Sequence, residues 1–476
     1  MGFVGRVREL KELDAQLETV RQRQRADRGV ALLMRGRRRV GKSRLAGEFA
    51  QRSGVPHMYF QAARGAPQGR ELALFAEAIA TSTLPGAAIA QANTPATLTA
   101  ALTLLAAALP DDAPSVVIID ELPWLLESID GGAGELQRVW DNRLAKKPVL
   151  ALLLGSDLAM MEQLTKPDQP FFGRATELVL EALTPRDIAT MTGMKPFDAF
   201  DAYLVTGGLP MVAQEWAGAM SLTDFLAASY ASSTSALVVS GNRVLDSEFG
   251  EVTLARQVLT AIGGFGERTF TGIQRGARGE PLNASSLTDT LRVLTARRIV
   301  AADEPLSTRP GGKDRRYRIA DPALRFWLAF VEPALAEVDR GRTDLASERV
   351  AAGYPSWRGR AIEPVVRDAL QRLLPDSRWP NVARVGGWWP RSNHPEIDLV
   401  GGDRAPARAL SFAGTIKWRD TRPVTEREVA QLATDAAHIP GVAPGTSLVV
   451  ACPAGSVPST LLSAVWTAED LLAAWP

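Results

Sequence analysis

The chain has 476 residues, of which 46% are apolar and 22% charged, a composition typical of a soluble protein with roughly two to four separately cored domains. Its 54 Lys and Arg residues against 53 Asp and Glu residues leave a formal charge of +1, which excludes a histone-like binder of nucleic acid and restricts any DNA contact to a local patch. One cysteine and three histidines exclude a disulfide framework and a Cys/His zinc site. Because the apolar runs are too short for a membrane span, we expect a cytoplasmic protein without a membrane partner.

The first 182 residues alternate predicted strands with predicted helices. Apolar residues at helical spacing predict an amphipathic helix over about 8–28. Continuous apolar runs predict strands of a parallel sheet that is buried on both faces. The signal is weaker for two of these strands, 58–60 and 178–180. The five predicted strands are 30–34, 58–60, 116–119, 149–154 and 178–180. This alternation predicts an α/β domain with a doubly wound parallel sheet.

Beyond residue 182 the pattern predicts helices, with no further β-rich segment until about Arg298. Between 252 and 328 three predicted helices precede a two-stranded hairpin, an order typical of a winged helix. The last hundred or so residues mix short apolar runs with helices and predict a second, smaller α/β domain.

The segment after the first strand is a complete G-x-x-x-x-G-K-S motif, followed by a predicted helix. Its glycines let successive backbone N–H groups point at a β-phosphate beside the positive end of that helix. Lys42 is expected to neutralise β- and γ-phosphate charge, and Ser43 to offer its hydroxyl to Mg²⁺. The sequence therefore predicts binding of ATP or ADP with Mg²⁺ by Gly36, Arg37, Arg38, Arg39, Val40, Gly41, Lys42, Ser43 and Arg44.

An acidic pair follows the strand at 116–119 and supplies the second half of such a site. Asp120 is the expected Mg²⁺ partner, and Glu121 is expected to orient and deprotonate the attacking water. An acidic pair after a strand is also a common helix cap, so this interpretation depends on its combination with the P-loop.

Two further candidates lie near the remaining strands. Ser156, after the strand at 149–154, is a candidate sensor of the γ-phosphate, with the alternative that it caps the next helix. Arg174 is a candidate arginine that reaches a nucleotide in an adjacent subunit and offsets transition-state charge. The alternative for Arg174 is a surface or salt-bridging arginine.

These motifs resemble those of the archaeal-type ATPases of the AAA+/STAND lineage, which couple a P-loop domain to a winged helix and a C-terminal PD-(D/E)XK nuclease-like domain. The resemblance covers nearly the whole chain. The segments that carry it are Phe3 to Arg6 with Glu9-Leu10, Gly36 to Ser43, Asp120 to Leu125, Gly155-Ser156, Phe172 to Arg174, Gly207 to Pro210, and Tyr317 to Pro322 with Phe326-Trp327.

The resemblance implies ATP hydrolysis, adenine contacts from Val4, Gly5 and Arg6, a nucleotide-sensing role for Pro210, and a sheet with one strand between the P-loop strand and the strand of Asp120. From the residues alone, Pro210 indicates only the start of a helix. The implied division is a P-loop NTPase domain of the AAA+ type at 1–182, a helical lid at 183–245, a winged helix at 246–330, a helical linker at 331–355 and a degenerate nuclease-like α/β domain at 356–476.

The predicted hairpin of the winged helix is basic. Its Arg309, Lys313, Arg315 and Arg316 are candidates for contact with a DNA backbone. The alternative, a hairpin with a purely structural role, is favoured.

In the terminal domain the family pattern maps onto Glu363, Asp398 and Lys417, but Thr415 stands where a metal-binding carboxylate is required. A degenerate fold kept for contact with a partner is therefore favoured over retained cleavage.

The combined prediction is an ATP-hydrolysing switch that acts on or with DNA. Two alternatives are a DNA-binding regulator that nucleotide locks in one conformation, and a weakly active metal-dependent nuclease. If Arg174 acts between subunits, the protein is a homo-oligomer.

Overall fold

The computed structural model describes residues 3–22, 28–156, 158–216, 218, 220–249, 254–277, 279–309 and 314–475. The chain divides into two compact units, Met1–Ala182 and Leu183–Pro476. Among the described residues, no helix combines the length and the apolarity that crossing a bilayer requires.

The first unit is built on a five-stranded sheet, all of whose strands are parallel. The strands are β1 Val30–Arg35, β2 His57–Gln61, β3 Ser115–Asp120, β4 Val149–Gly155 and β5 Ala175–Val179. Their order is β2-β3-β4-β1-β5, so β4 separates β1 from β3 as the family resemblance implied. The predicted α/β fold with a parallel sheet is confirmed, although β5 begins three residues earlier than the strand predicted at 178–180.

Helices cover both faces of this sheet. One apolar cluster joins α1 and α2 to the even-numbered residues of β1, such as Leu32, and a second joins α3, α4 and α6 to the odd-numbered ones, such as Leu33. Both faces being buried explains why the strands are apolar throughout. The helices are α1 Val7–Gln22, α2 Lys42–Ser53, α3 Gln68–Ala80, α4 Leu98–Ala108, α5 Leu122–Glu127, α6 Gly132–Asn142 and α7 Leu158–Leu164.

The second unit begins with helices and continues with a small antiparallel sheet. The helices are α8 Pro185–Thr192, α9 Pro196–Thr206, α10 Pro210–Glu215, α11 Leu222–Tyr230, α12 Ala236–Phe249, α13 Leu254–Ile262, α14 Phe270–Gln274 and α15 Ala284–Ala296. The strands are β6 Arg268–Thr269, β7 Val300–Asp303 and β8 Arg316–Ile319, in the order β6-β8-β7. β6 precedes the point at which strands were expected, because a two-residue strand leaves no periodic signal.

The end of the chain forms a second five-stranded sheet, which is antiparallel at one side and parallel at the other. Its strands are β9 Arg384–Trp388, β10 Ile397–Gly402, β11 Leu410–Ile416, β12 Ser447–Ala451 and β13 Leu462–Trp466, in the order β13-β12-β11-β10-β9. The helices are α16 Pro322–Phe326, α17 Leu335–Asp339, α18 Thr343–Leu373, α19 Glu426–Ala436 and α20 Ala468–Leu472. The expected division between residues 355 and 356 falls inside α18, and one apolar cluster runs from Leu183 to Trp475.

Candidate nucleotide-binding site

The loop between β1 and α2 has the backbone of a phosphate cradle. Gly41 at φ 96° and Arg39 at φ 68° adopt left-handed conformations, which let the chain curl tightly. A Cβ atom at Gly36 would lie 2.4 Å from the carbonyl oxygen of Leu180, so no side chain fits at that position. Because α2 begins at Lys42, directly after this turn, the N–H groups of its first turn face the loop and favour an anion there.

The ammonium group of Lys42 lies within this loop. Its Nζ donates to the carbonyl oxygens of Gly36 at 2.7 Å and Arg37 at 3.1 Å, and the residue is only 6% exposed. A buried positive charge held by neutral carbonyl groups gains much from an anion that comes close. Lys42 therefore lies against the loop, and its role in binding phosphate stays a prediction.

The N-terminal segment supports the loop from outside. Arg6 donates from Nη2 to the carbonyl oxygen of Val40 at 2.7 Å and lies 3.7 Å from Glu9, and it is 6% exposed. This bond gives Arg6 a part in shaping the P-loop that its motif had not indicated. The role of Val4, Gly5 and Arg6 in binding adenine stays a prediction.

Asp120 ends β3 and is 1% exposed. Its Oδ1 accepts from the backbone N–H of Glu121 at 2.9 Å, and its Oδ2 accepts from the hydroxyl of Tyr59 at 2.6 Å. Burial and the Asp120 carboxylate raise the pKa of Tyr59, whereas a hydrogen bond from Ser43 acts to lower it. The Tyr59 hydroxyl therefore contacts Asp120, one of the two predicted Mg²⁺ ligands.

Sequence reasoning missed Tyr59. The only available signal was a polar hydroxyl in the weakly predicted strand at 58–60, and its importance depends on β2 pairing with β3. In that pairing Tyr59 is level with Ile118, so its side chain projects on the same face as Asp120, two residues further along β3.

Glu121 has a left-handed backbone at φ 54°, a conformation that costs energy for a residue other than glycine and is common at functional sites. Its carboxylate accepts from the hydroxyl of Ser156 at 2.7 Å and from the Ser156 backbone N–H at 3.2 Å. The structure therefore brings the predicted sensor into direct contact with the predicted base, across the ends of β3 and β4.

Arg174 is engaged within its own chain. It donates from Nε and Nη2 to the two carboxylate oxygens of Asp141, both at 2.8 Å, and from Nη1 to the carbonyl oxygens of Pro170 and Phe172. The hydrogen bond to Asp141 raises the pKa of Arg174. This geometry is that of the alternative considered for Arg174, a salt-bridging arginine.

Pro210 occupies the first turn of α10, and the glycines before it are required by packing. A Cβ atom at Gly208 would lie 2.1 Å from the carbonyl oxygen of Leu183, and one at Gly207 would lie 2.6 Å from Ala323. Both glycines also have a positive φ. The segment thus has a structural reason for its sequence, and the sensing role of Pro210 stays a prediction.

Among the described residues of the hairpin between β7 and β8, the predicted basic positions differ in how far their charge is paired. Arg315 donates from Nε to Glu304 at 2.9 Å, so its charge is already paired. Arg309 is exposed, and Lys313 lies outside the described residues.

The expectation that Arg316 contacts DNA is corrected by its burial. Arg316 is 8% exposed and donates from Nη1 to Glu396 at 2.6 Å and to Glu267 at 3.3 Å. Its Nη2 donates to Asn393 at 2.8 Å, and its guanidinium lies 4.3 Å from the ring centroid of Trp389. The physical reason is that two carboxylates and an aromatic face compensate this charge inside the protein.

The terminal sheet brings Asp398 and Glu363 together without building a metal site. Asp398 Oδ2 accepts from Thr415 Oγ1 and from the N–H of Ile416, both at 2.8 Å. Arg367 donates from Nη2 to Glu363 at 2.9 Å and from Nε to the carbonyl oxygen of Asp398 at 2.8 Å. A cation that belongs to the protein, the Arg367 guanidinium, thus pairs with Glu363 in the position that a metal ion would take.

Burial raises the pKa of Glu363 to about 8, and the Asp398 carboxylate adds to the shift against the opposing effect of Arg367. Lys417, the third predicted member, is partly exposed. Among the residues that the structure describes, no group of three His, Cys, Asp or Glu side chains is arranged to hold a metal ion.

Comparison with known proteins adds two matches at the level of sequence. Residues 327–432 match the model of the family DUF234, described as "Archaea bacterial proteins of unknown function". The chain is also 25% identical over 439 residues to the uncharacterized protein MJECL04 of Methanocaldococcus jannaschii. This alignment covers 91% of this chain and 90% of that protein.

Among solved structures, the chain is similar to the Walker-type ATPase paby2304 of Pyrococcus abyssi, at 17% identity and a TM-score of 0.47, over 68% of this chain and 96% of that one. It is also similar to the ORC2 protein of Aeropyrum pernix in its ADPNP-ADP complexes, at 16% identity and a TM-score of 0.43, over 73% of this chain and 96% of that one.

Proposed function

We propose that this protein binds Mg·ATP at the loop between β1 and α2 and hydrolyses it. The observation that carries the proposal is the convergence of three strand ends: Lys42 lies in the loop after β1, Asp120 and Glu121 follow β3, and Ser156 follows β4. The carboxyl ends of parallel strands form one edge of a sheet, where ligands bind in folds of this kind.

Each residue has a separate task in this reaction. The N–H groups at the start of α2 and the Lys42 ammonium bind the phosphates. Ser43 and Asp120 are the residues that would hold Mg²⁺, and their oxygens suit this ion because it prefers hydroxyl and carboxylate ligands. The metal, when bound, neutralises charge on the β- and γ-phosphates. Glu121 orients the attacking water and accepts its proton.

The experiment that tests this function measures nucleotide binding and phosphate release in three variants. Lys42→Ala is expected to lose most of its affinity for ATP, whereas Glu121→Gln is expected to bind ATP normally and to hydrolyse it about 10²- to 10⁴-fold more slowly. Lys146→Ala, an exposed lysine in the same unit, is the matched control and should resemble the wild type. A wild-type protein that binds no ATP, or a Glu121→Gln protein with normal turnover, would refute the proposal.

We also propose the finer organisation within the second unit. The order of α13, β6, α14, α15, β7 and β8 supports a winged helix at 246–330, preceded by a helical lid at 183–245. The terminal sheet supports a degenerate nuclease-like domain at 356–476, reached through helical residues 331–355. The pairing of Arg367 with Glu363 argues against cleavage by this domain, and the pairing of Arg315 and Arg316 with carboxylates argues against DNA binding by the hairpin.

A further inference from the structure

The P-loop contains an arginine whose charge is not matched by a carboxylate. The guanidinium of Arg38 lies 5.7 Å from the ring centroid of Trp124, and its Nε donates to the hydroxyl of Ser156 at 3.4 Å. In the part of the chain that the structure describes, Arg38 forms no ion pair. By contrast Arg35, three residues earlier, pairs with both Glu162 and Glu177.

The position of Arg38 follows from the strand order. The arginine extends from the loop after β1, and it contacts Ser156 after β4 and Trp124 in α5 after β3. These three strands are neighbours in the order β3-β4-β1. Arg38 therefore crosses the edge of the sheet at which the proposed function places the terminal phosphate of ATP.

We propose that Arg38 contacts the γ-phosphate of ATP within its own chain and stabilises the charge that develops there during hydrolysis. The inference rests on the proposed ATPase function and names a catalytic residue for it. A partly buried guanidinium without an anionic partner gains most when an anion arrives, and its planar donors suit phosphate oxygens. Packing on the Trp124 ring keeps the group in place beforehand.

The same contact links the phosphate to the base. The Ser156 hydroxyl accepts from Arg38 and donates to Glu121, so movement of Arg38 toward a γ-phosphate alters the donor that holds the Glu121 carboxylate. ATP, which has a γ-phosphate, and ADP, which lacks one, therefore differ in their effect on Glu121.

The reaction step is a hydrolysis with Arg38 charged throughout. The oxygen of water forms a bond to the γ-phosphorus, and its proton passes to Glu121. The bond between the γ-phosphorus and the β–γ bridging oxygen breaks, and its electron pair stays on that oxygen of ADP. Arg38 exchanges no proton, because it only donates hydrogen bonds to the γ-phosphate oxygens.

This assignment differs from the expectation that Arg174 of an adjacent subunit supplies the charge. Arg174 donates from Nε and Nη2 to the two carboxylate oxygens of Asp141, and release from this bidentate pair would be needed before it reached another subunit. Arg38 needs no second subunit.

The test compares Arg38→Ala, Arg38→Lys and Arg174→Ala with Arg70→Ala, an exposed arginine on α3, as the matched control. Affinities for ADP and for a non-hydrolysable ATP analogue are measured by displacement of a fluorescent ADP, and turnover by phosphate release over a range of protein concentrations. Arg38→Ala is expected to keep the ADP affinity of the wild type, to lose about 10-fold or more of its affinity for the analogue, and to hydrolyse ATP about 10²- to 10³-fold more slowly. Arg38→Lys should recover part of the affinity for the analogue and little of the turnover.

The contrary outcomes are distinct. If Arg38→Ala discriminates the analogue from ADP as the wild type does, or if Arg174→Ala rather than Arg38→Ala loses turnover, the assignment of Arg38 is overturned while the ATPase function stands. If the wild type binds neither nucleotide, the ATPase function fails and the assignment fails with it. Turnover per subunit that is independent of protein concentration supports a reaction within one chain, and a rise with concentration contradicts it.

Discussion

The two parts of the molecule that place carboxylates on or beside a sheet differ in whether arginines pair with those carboxylates. At the P-loop sheet, Asp120 and Glu121 accept hydrogen bonds from the hydroxyls of Tyr59 and Ser156. Beside the terminal sheet, Asp398 also accepts from a hydroxyl, that of Thr415, but Glu363 accepts from the guanidinium of Arg367 and Glu396 from that of Arg316. A hydroxyl orients a carboxylate and leaves its charge available, whereas a guanidinium neutralises it.

We expect this difference to favour a cation at the P-loop sheet over one at the terminal sheet. A metal ion is attracted by carboxylates that no other cation pairs with, and in the described part of the chain no ion pair involves Asp120 or Glu121. The terminal cluster carries its own cations, because Arg316 pairs with Glu396 as Arg367 pairs with Glu363. The comparison implies that substitutions at the P-loop sheet change catalysis, while substitutions in the terminal cluster change stability.

The largest expected effect on stability is that of Arg367→Ala. This variant removes two hydrogen bonds that the charged guanidinium donates, one to the Glu363 carboxyl group and one to the carbonyl oxygen of Asp398, which should lower the free energy of unfolding by about 3–5 kcal/mol and leave ATP turnover unchanged. Urea unfolding followed by tryptophan fluorescence measures it, since all of the 11 tryptophans except Trp124 and Trp140 lie beyond residue 182. Arg360→Ala, exposed on the same helix, is the control. If Arg367→Ala lost turnover and kept the stability of the wild type, the expectation that this region affects stability and not catalysis would be wrong.

A smaller effect, specific to pH, is expected for Glu363→Gln. Because burial raises the pKa of Glu363 to about 8, against about 4.3 in the unfolded chain, the folded protein keeps a proton that the unfolded chain releases between these values. The free energy of unfolding of the wild type should therefore fall as pH rises from about 4.3 to 8. Glutamine cannot titrate, so the fall between pH 5 and pH 8.5 should shrink by about 3 to 4 kcal/mol.

The control for this pH dependence is Glu348→Gln, an exposed glutamate on the same helix, which should follow the wild type. Thermal unfolding at a series of pH values gives the comparison. Parallel curves for Glu363→Gln and the wild type would show that the carboxyl group of Glu363 is ionised in the folded protein.

The parts of the site that the sequence predicted are those whose chemistry is local. The P-loop residues are consecutive in the chain. The left-handed conformations of Arg39 and Gly41 therefore depend on neighbouring residues and not on distant contacts. The sheet likewise follows from apolar runs, because a strand buried on both faces requires them wherever it lies.

The parts that the sequence did not predict depend on partners far along the chain. Arg316 is buried because Glu396, 80 residues later, pairs with it, and Arg174 is held by Asp141, 33 residues earlier. Arginines that bind a phosphate and arginines that pair with a carboxylate have the same sequence signal. Only the tertiary contacts distinguish them. Tyr59 was not predicted for the same reason, because it meets Asp120 only through the pairing of β2 with β3.

Tyr59→Phe is expected to have the smallest effect, a change in Mg²⁺ affinity. It tests directly whether a hydroxyl donor orients Asp120 for the metal. Removing the hydroxyl takes from Asp120 Oδ2 the donor that orients it, and loss of such an outer partner typically weakens metal binding about 10-fold or more. We expect the Mg²⁺ concentration for half-maximal tightening of nucleotide binding to rise about 10-fold, with nucleotide affinity in EDTA unchanged. Fluorescent ADP titrated with Mg²⁺ measures both quantities on the same sample, so EDTA serves as the internal control. If Mg²⁺ binds equally well or better, the hydroxyl competes with the metal for Asp120 instead of orienting the carboxylate toward it.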